Sequence, residues 1–146
     1  MCAEHRSEPF HQPSATDRRC AHVSKPADAC RAVERAITER CRTAHMPCDR
    51  DAVSDALLVT SELVTNAILH GGGVTDFSVD LVEPGVRVSV SDPSDRIPVV
   101  RDSGGPRSGR RLGGRGWPIV CRLARDVRVS ALPTGGKRIT AVVPLG

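Results

Sequence analysis

Apolar residues along the chain keep two different rhythms. Between Pro26 and Ala44, the residues Ala29, Val33, Ala36, Ile37 and Cys41 recur every three or four positions, the spacing of one helix face. Ser24 is placed to cap this helix and Pro26 lies just inside it. Pro47 ends the connection that follows. From Asp49 to His70 a longer stripe of Val53, Ala56, Leu57, Thr60, Leu63, Val64, Ala67 and Ile68 predicts a second helix, closed by Gly71 to Gly73. Beyond it the period becomes two. Val79 and Leu81, then Val86, Val88 and Val90, alternate with polar residues on either side of Glu83, Pro84 and Gly85. That pattern predicts a hairpin of strands 77–83 and 86–92. A third helix is expected over residues 117–124. Strands 127–132 and 138–144 follow, joined at Pro133-Thr134-Gly135-Gly136. A short strand at 19–23 precedes the first helix.

Residues 1–18 are polar and aperiodic, with prolines at 9 and 13, and are expected to be a disordered tail. Residues 19–146 form one domain. Strands that pair with their sequence neighbours give a mixed or antiparallel sheet. Helices segregated from it give an α/β two-layer sandwich, the sheet covered on one face by three helices. About twenty residues from Pro93 to Leu112, rich in Pro, Gly, Ser and Arg, are too many for a passive connector in a compact domain.

Composition narrows the function. Hydrophobic residues make up 39% of the 146, enough for a real core. Aromatic residues are limited to Phe10, Phe77 and Trp117, so base stacking on aromatic platforms is nearly excluded and no direct nucleic-acid partner is expected. The net charge of +4 is carried almost wholly by Arg, with Lys25 and Lys137 the sole lysines. Acidic residues dilute it everywhere except from Arg96 to Arg115, where an arginine patch could attract phosphate. A solvated loop is the plainer reading of that patch.

The N-terminus has no apolar core segment. No apolar run is expected to approach the length of a membrane span, so no membrane partner is expected. Six cysteines occur without a C-x-x-C pair, so a cytoplasmic location with reduced thiols is expected. Cys41, His45 and Cys48 lie close together, but not at a standard zinc spacing. Cys30 and Cys41 fit the buried face of the first helix.

Chemistry gathers at four places. Glu62, Asn66 and His70 fall at four-residue steps, so they line one side of the second helix with a drift of about 40° per step. A carboxylate there can position or deprotonate a nucleophile. An amide oxygen is a hard ligand suited to Mg²⁺. Asp92, at a strand end, can accept from an exocyclic amine. Gly114-Arg115-Gly116, opening a helix, offers backbone N–H groups to phosphate. The 93–113 loop can close over a ligand. Each feature alone also has a bland reading, a solvated helix face or a common glycine turn. Their order and spacing carry the weight.

The run ELVTNAILHG from Glu62 to Gly71 resembles the N-box of the Bergerat-fold (GHKL) ATPases. The run GRGWPIV from Gly114 to Val120 resembles their second glycine box. Within that family the chain resembles the small anti-sigma-factor serine/threonine kinases of bacteria, over residues 20–146. The resemblance implies ATP and Mg²⁺ as cofactors. It makes Glu62 the catalytic base, Asn66 the Mg²⁺ ligand, Asp92 the adenine contact, and Gly114, Arg115 and Gly116 the phosphate-binding turn. It implies two partners, a sigma factor to be sequestered and a STAS-type anti-anti-sigma factor to be phosphorylated on Ser or Thr, and leaves room for a homodimer. His70 is expected to be structural, at the helix end.

The chain departs from the family pattern in three places. The first glycine box, usually D-x-G-x-G, reads Asp92-Pro93-Ser94-Asp95. Arg138 follows Gly136-Lys137 where a Thr is usual, with Thr140 two residues on, and Trp117 replaces an aliphatic residue. A non-catalytic module of the same fold, binding nucleotide or a partner, is the alternative.

Overall fold

Alternation decides the central layer. In β3 (Gly85–Asp92) the inward phase is Val86, Val88 and Val90. These stand opposite Leu81, Val79 and Phe77 of β2 (Asp76–Val82) and opposite Val143, Ala141 and Ile139 of β5 (Lys137–Pro144). The computed structural model describes residues 18–20, 22–82, 85–96 and 112–145. The turn residues 83–84, residues 1–17 of the expected tail and residues 97–111 of the expected ligand-covering loop lie outside them. With β1 (Arg18–Cys20) and β4 (Asp126–Ala131) the strands form one sheet, ordered β1-β2-β3-β5-β4, with every neighbour antiparallel.

Three helices cover the apolar face: α1 (Pro26–Thr43), α2 (Arg50–His70) and α3 (Leu112–Leu123). The expected two-layer sandwich is therefore the fold. Ala29, Val33, Ala36 and Ile37 of α1 and Ala56, Val59, Leu63, Val64 and Ala67 of α2 are sealed against the sheet. With so few aromatics the core is mostly Val, Leu, Ile and Ala around Phe77 and Trp117. Each buried Val, Leu or Ile contributes about 1.5–3 kcal/mol.

The opposite sheet face is polar. Arg87 donates to both carboxylate oxygens of the buried Asp80, at 3.2 and 2.6 Å, across the β2–β3 pair. Ser89 and Thr140 share a hydrogen bond of 3.2 Å, and Arg138 donates to Ser91.

Helix ends follow side-chain chemistry. Asp49 caps α2, accepting from the N–H groups of Asp51 and Ala52. At α1 the N-cap is Lys25, not Ser24. Ser24 instead donates its N–H and hydroxyl to Asp28, which also accepts from the Lys25 N–H. The α3 helix begins at Leu112, five residues before the expected start, and so already runs through Gly114, Arg115 and Gly116. Glycine costs a helix only about 1 kcal/mol per residue, which the burial of Trp117 and Val120 offsets.

Two further expectations are corrected. By length and composition α2 is long and apolar enough to cross a membrane, but one face is core and the other carries Glu62 and Asn66. Cys41 and Cys48 are not reduced thiols. The 44–49 connection brings their Cα atoms to 5.7 Å, within bridging range, and they form a disulfide between the end of α1 and the start of α2. Cys30 is free; it donates to the Leu57 carbonyl, and burial, then Glu34, push its thiol pKa up.

Candidate functional site

The site is where the end of α2, the end of β3 and the α3 helix meet. Two glycines make the meeting close. Gly71, the C-cap of α2, has φ −108°, which any residue adopts, so its backbone does not require glycine. A Cβ there would run into the Asp92 carboxylate. The missing side chain at Gly71 is thus room for Asp92. Gly116 plays the same part for α3: a Cβ there would meet the Glu62 carboxylate.

Glu62 and Asn66 are half-buried on the α2 flank, and neither bonds to any described side chain or backbone group other than its own helix ladder. A carboxylate and an amide oxygen one turn apart, with no partner among the described residues, fit a hydrated Mg²⁺ and the phosphates it bridges. The glycine at 116 lets the Glu62 carboxylate lie against α3. His70 is exposed at the last turn of α2.

Asp92 is where the sequence placed it, at the end of a strand, but its surroundings differ from expectation. It is 2% exposed, and its Oδ1 accepts from the Lys137 ammonium at 2.9 Å and from the Ser94 N–H at 2.8 Å. Lys137 is itself buried, and its ammonium also lies 3.4 Å from the Ser94 carbonyl. In the sequence, Arg138 stands where the family usually has a Thr, with Thr140 two residues on, and no last-strand contact is assigned. The register instead sets Lys137 opposite Asp92, while Arg138 pairs with Ser91 and Thr140 with Ser89 on the polar face, away from the helices.

The segment that replaces the first glycine box is stitched in place. Asp95 accepts from the Gly136 N–H at 3.1 Å, and Ser94 accepts from the Arg96 N–H at 3.0 Å. Gly136 has φ 90°, and a Cβ there would meet the Asp92 carbonyl, so this turn needs glycine twice over.

Gly114 and Arg115 lie in the first turns of α3, not in a turn before it. The first four N–H groups of a helix lack an intrahelical partner. The free donors at this end are therefore those of residues 112–115, and Gly116 serves instead as the contact surface for Glu62. Pro118, inside the helix, leaves the Gly114 carbonyl without its usual i+4 donor.

A family model described as the histidine kinase-like ATPase domain matches residues 23–143. The chain belongs to the histidine kinase-like ATPase domain family. Its fold is similar to the crystal structure of the RsbU and RsbW domains of Rv1364c from Mycobacterium tuberculosis. The TM-score is 0.53 at 21% identity, over 88% of this chain and 32% of that one. The ATPase-like domain thus spans about a third of the neighbour's length. A comparison with curated proteins gave no match.

Proposed function

We propose that the domain is an ATP-dependent protein kinase that regulates a sigma factor: it sequesters the sigma factor and phosphorylates a Ser or Thr of an anti-anti-sigma partner. The observation that carries this is the pair Glu62 and Asn66, half-buried, one turn apart, without side-chain partners among the described residues, and faced by a glycine. Family membership supports ATP as the nucleotide. The RsbW domain in the structural neighbour supports the anti-sigma setting.

In this reading Glu62 takes the proton of the incoming hydroxyl as its oxygen bonds to the γ-phosphorus and the bond to the ADP oxygen breaks. Asn66 would hold Mg²⁺, which when bound neutralises charge on the phosphates. Asp92 would face the base, and the free N–H groups opening α3 would face the phosphates.

One observation favours the scaffold alternative: Asp92 Oδ1 is already engaged by Lys137. Incubation with labelled ATP, Mg²⁺ and anti-anti-sigma proteins of the same genome separates the two. Transfer of label to one of them that is lost in Glu62→Gln supports the kinase. Sigma-factor binding with no transfer to any of them leaves the scaffold.

A further inference from the structure

We propose that Leu58 and Leu69 of α2 are docking residues for the protein that presents its hydroxyl to Glu62, and that this partner carries its acceptor Ser or Thr between two apolar side chains. The inference deepens the kinase reading and rests on it. Single exposed leucines are ordinary on a protein surface. What sets these two apart is their alignment with Glu62. A helix turns about 100° and rises about 1.5 Å per residue. Leu58, four residues before Glu62, therefore lies about 40° from it around the helix. Leu69, seven residues after it, lies about 20° to the same side. The three form one line, with Leu58 about 6 Å below Glu62 and Leu69 about 10 Å above it.

Leu58 is 41% exposed and Leu69 53%, and Ile68 at 38% widens the upper patch. Between them the side chains are short. Ser61 and Thr65, both half-buried, let a partner's main chain come close to Glu62. Asn66, which would hold Mg²⁺ and the phosphates, lies about 40° to the other side of Glu62. In-line transfer brings the attacking oxygen from the side opposite the leaving group. The hydroxyl therefore arrives from the leucine side, and whatever carries it covers Leu58 and Leu69. Charge continues the line. Asp51 and Asp55 sit below Leu58, about 20° to either side of Glu62, and their carboxylates have no partner among the described residues. The partner surface beyond Leu58 is accordingly basic.

The test measures phosphotransfer from ATP to the anti-anti-sigma protein that wild type labels, with Leu58→Ser, Leu69→Ser and the two combined. Covering an apolar side chain of this size is worth roughly tenfold in affinity. Each single variant should raise KM for the protein substrate by about tenfold, and the double variant by more. The kcat at saturating partner and the affinity for MgATP should stay as in wild type, because neither leucine touches the nucleotide or the reacting atoms. Asp55→Lys should raise the same KM, and an unchanged value would strike the basic edge from the partner. An unchanged KM in the double leucine variant overturns the proposal. So does a rise in KM accompanied by an equal loss of MgATP affinity, which is the mark of a structural role.

A second measurement uses wild type alone and needs no turnover. With ¹³C-methyl leucine, adding the anti-anti-sigma protein should shift the Leu58 and Leu69 signals and leave the buried Leu63 in place. If that protein binds or accepts label while Leu58 and Leu69 stay still, it docks elsewhere and this inference alone fails. It fails too if only the sigma factor moves these signals, or if they move with protein concentration alone, since the face then belongs to the sigma factor or to a second copy of the chain. If no anti-anti-sigma protein of the same genome binds or is phosphorylated, the kinase reading is wrong and the inference falls with it.

Discussion

Single residues here act mostly by what they leave out. Gly71 and Gly116 make room for the Asp92 and Glu62 carboxylates, and the two differ in what a methyl group would do. At Gly71 it would meet the stem as well as the head of a side chain pinned by Lys137 and Ser94. Gly71→Ala should cost about 1–3 kcal/mol in denaturant unfolding, as overpacking does, and should weaken nucleotide binding. An unchanged midpoint would mean that Asp92 is free to move. At Gly116 it would meet chiefly the far end of Glu62. Gly116→Ala should leave stability nearly intact while lowering phosphotransfer by about a hundredfold, the scale of a small misplacement. Single-turnover assays beside thermal melts read both effects.

Asp28 carries a pH dependence. The Ser24 N–H, followed by the Ser24 hydroxyl and the Lys25 N–H, holds its carboxyl below the ordinary value of 3.8, against a partial opposing effect of desolvation. A group lowered in the fold contributes stability above its unfolded pKa and loses it as pH falls through the folded one. The start of α1 should therefore loosen in acid below about pH 4, seen as a shift of the Ser24 amide in NMR. Asp28→Asn should abolish that step.

At the scale of elements, periodicity made most of the fold legible. The valines of β3 and the stripes of α1 and α2 announced their buried faces, because a core of aliphatic residues leaves a clean rhythm. The start of α3 was hidden, since glycines read as a turn whether or not a helix passes through them. The Asp92–Lys137 pair was readable in principle. Asp92 continues the inward phase of 86, 88 and 90, and Lys137 that of 139, 141 and 143, so the alternation placed both charges inside. What the sequence lacked was the pairing of β3 with β5, two strands far apart in the chain. The disulfide was hidden for a similar reason: it depends on how tightly residues 44–49 turn.

The α1–α2 joint has two supports, the Asp49 cap and the Cys41–Cys48 bridge. Asp49→Ala should cost about 1 kcal/mol. Replacing Cys41 and Cys48 by Ser should cost about 2 kcal/mol, as expected for so short a loop. Both costs should appear as shifts in the urea midpoint, roughly additive only if the two supports act independently.

For the whole molecule, the proposed function turns on helix α2. One face of it is core, and its flank carries Glu62 and Asn66. If that flank holds nucleotide, the two residues should fail differently. Glu62→Gln keeps the shape and loses the proton acceptor, so nucleotide affinity should persist while transfer drops by about 10²–10⁴-fold. Asn66→Ala removes the metal ligand and should weaken both. The most direct measurement is a calorimetric titration of the folded protein with ATP, with and without Mg²⁺, beside Asn66→Ala. The expected result is saturable, Mg²⁺-dependent binding in wild type that Asn66→Ala weakens by about tenfold or more. No binding at millimolar ATP, or Mg²⁺-dependent binding that Asn66→Ala leaves unchanged, would contradict the assignment of the nucleotide site to this helix.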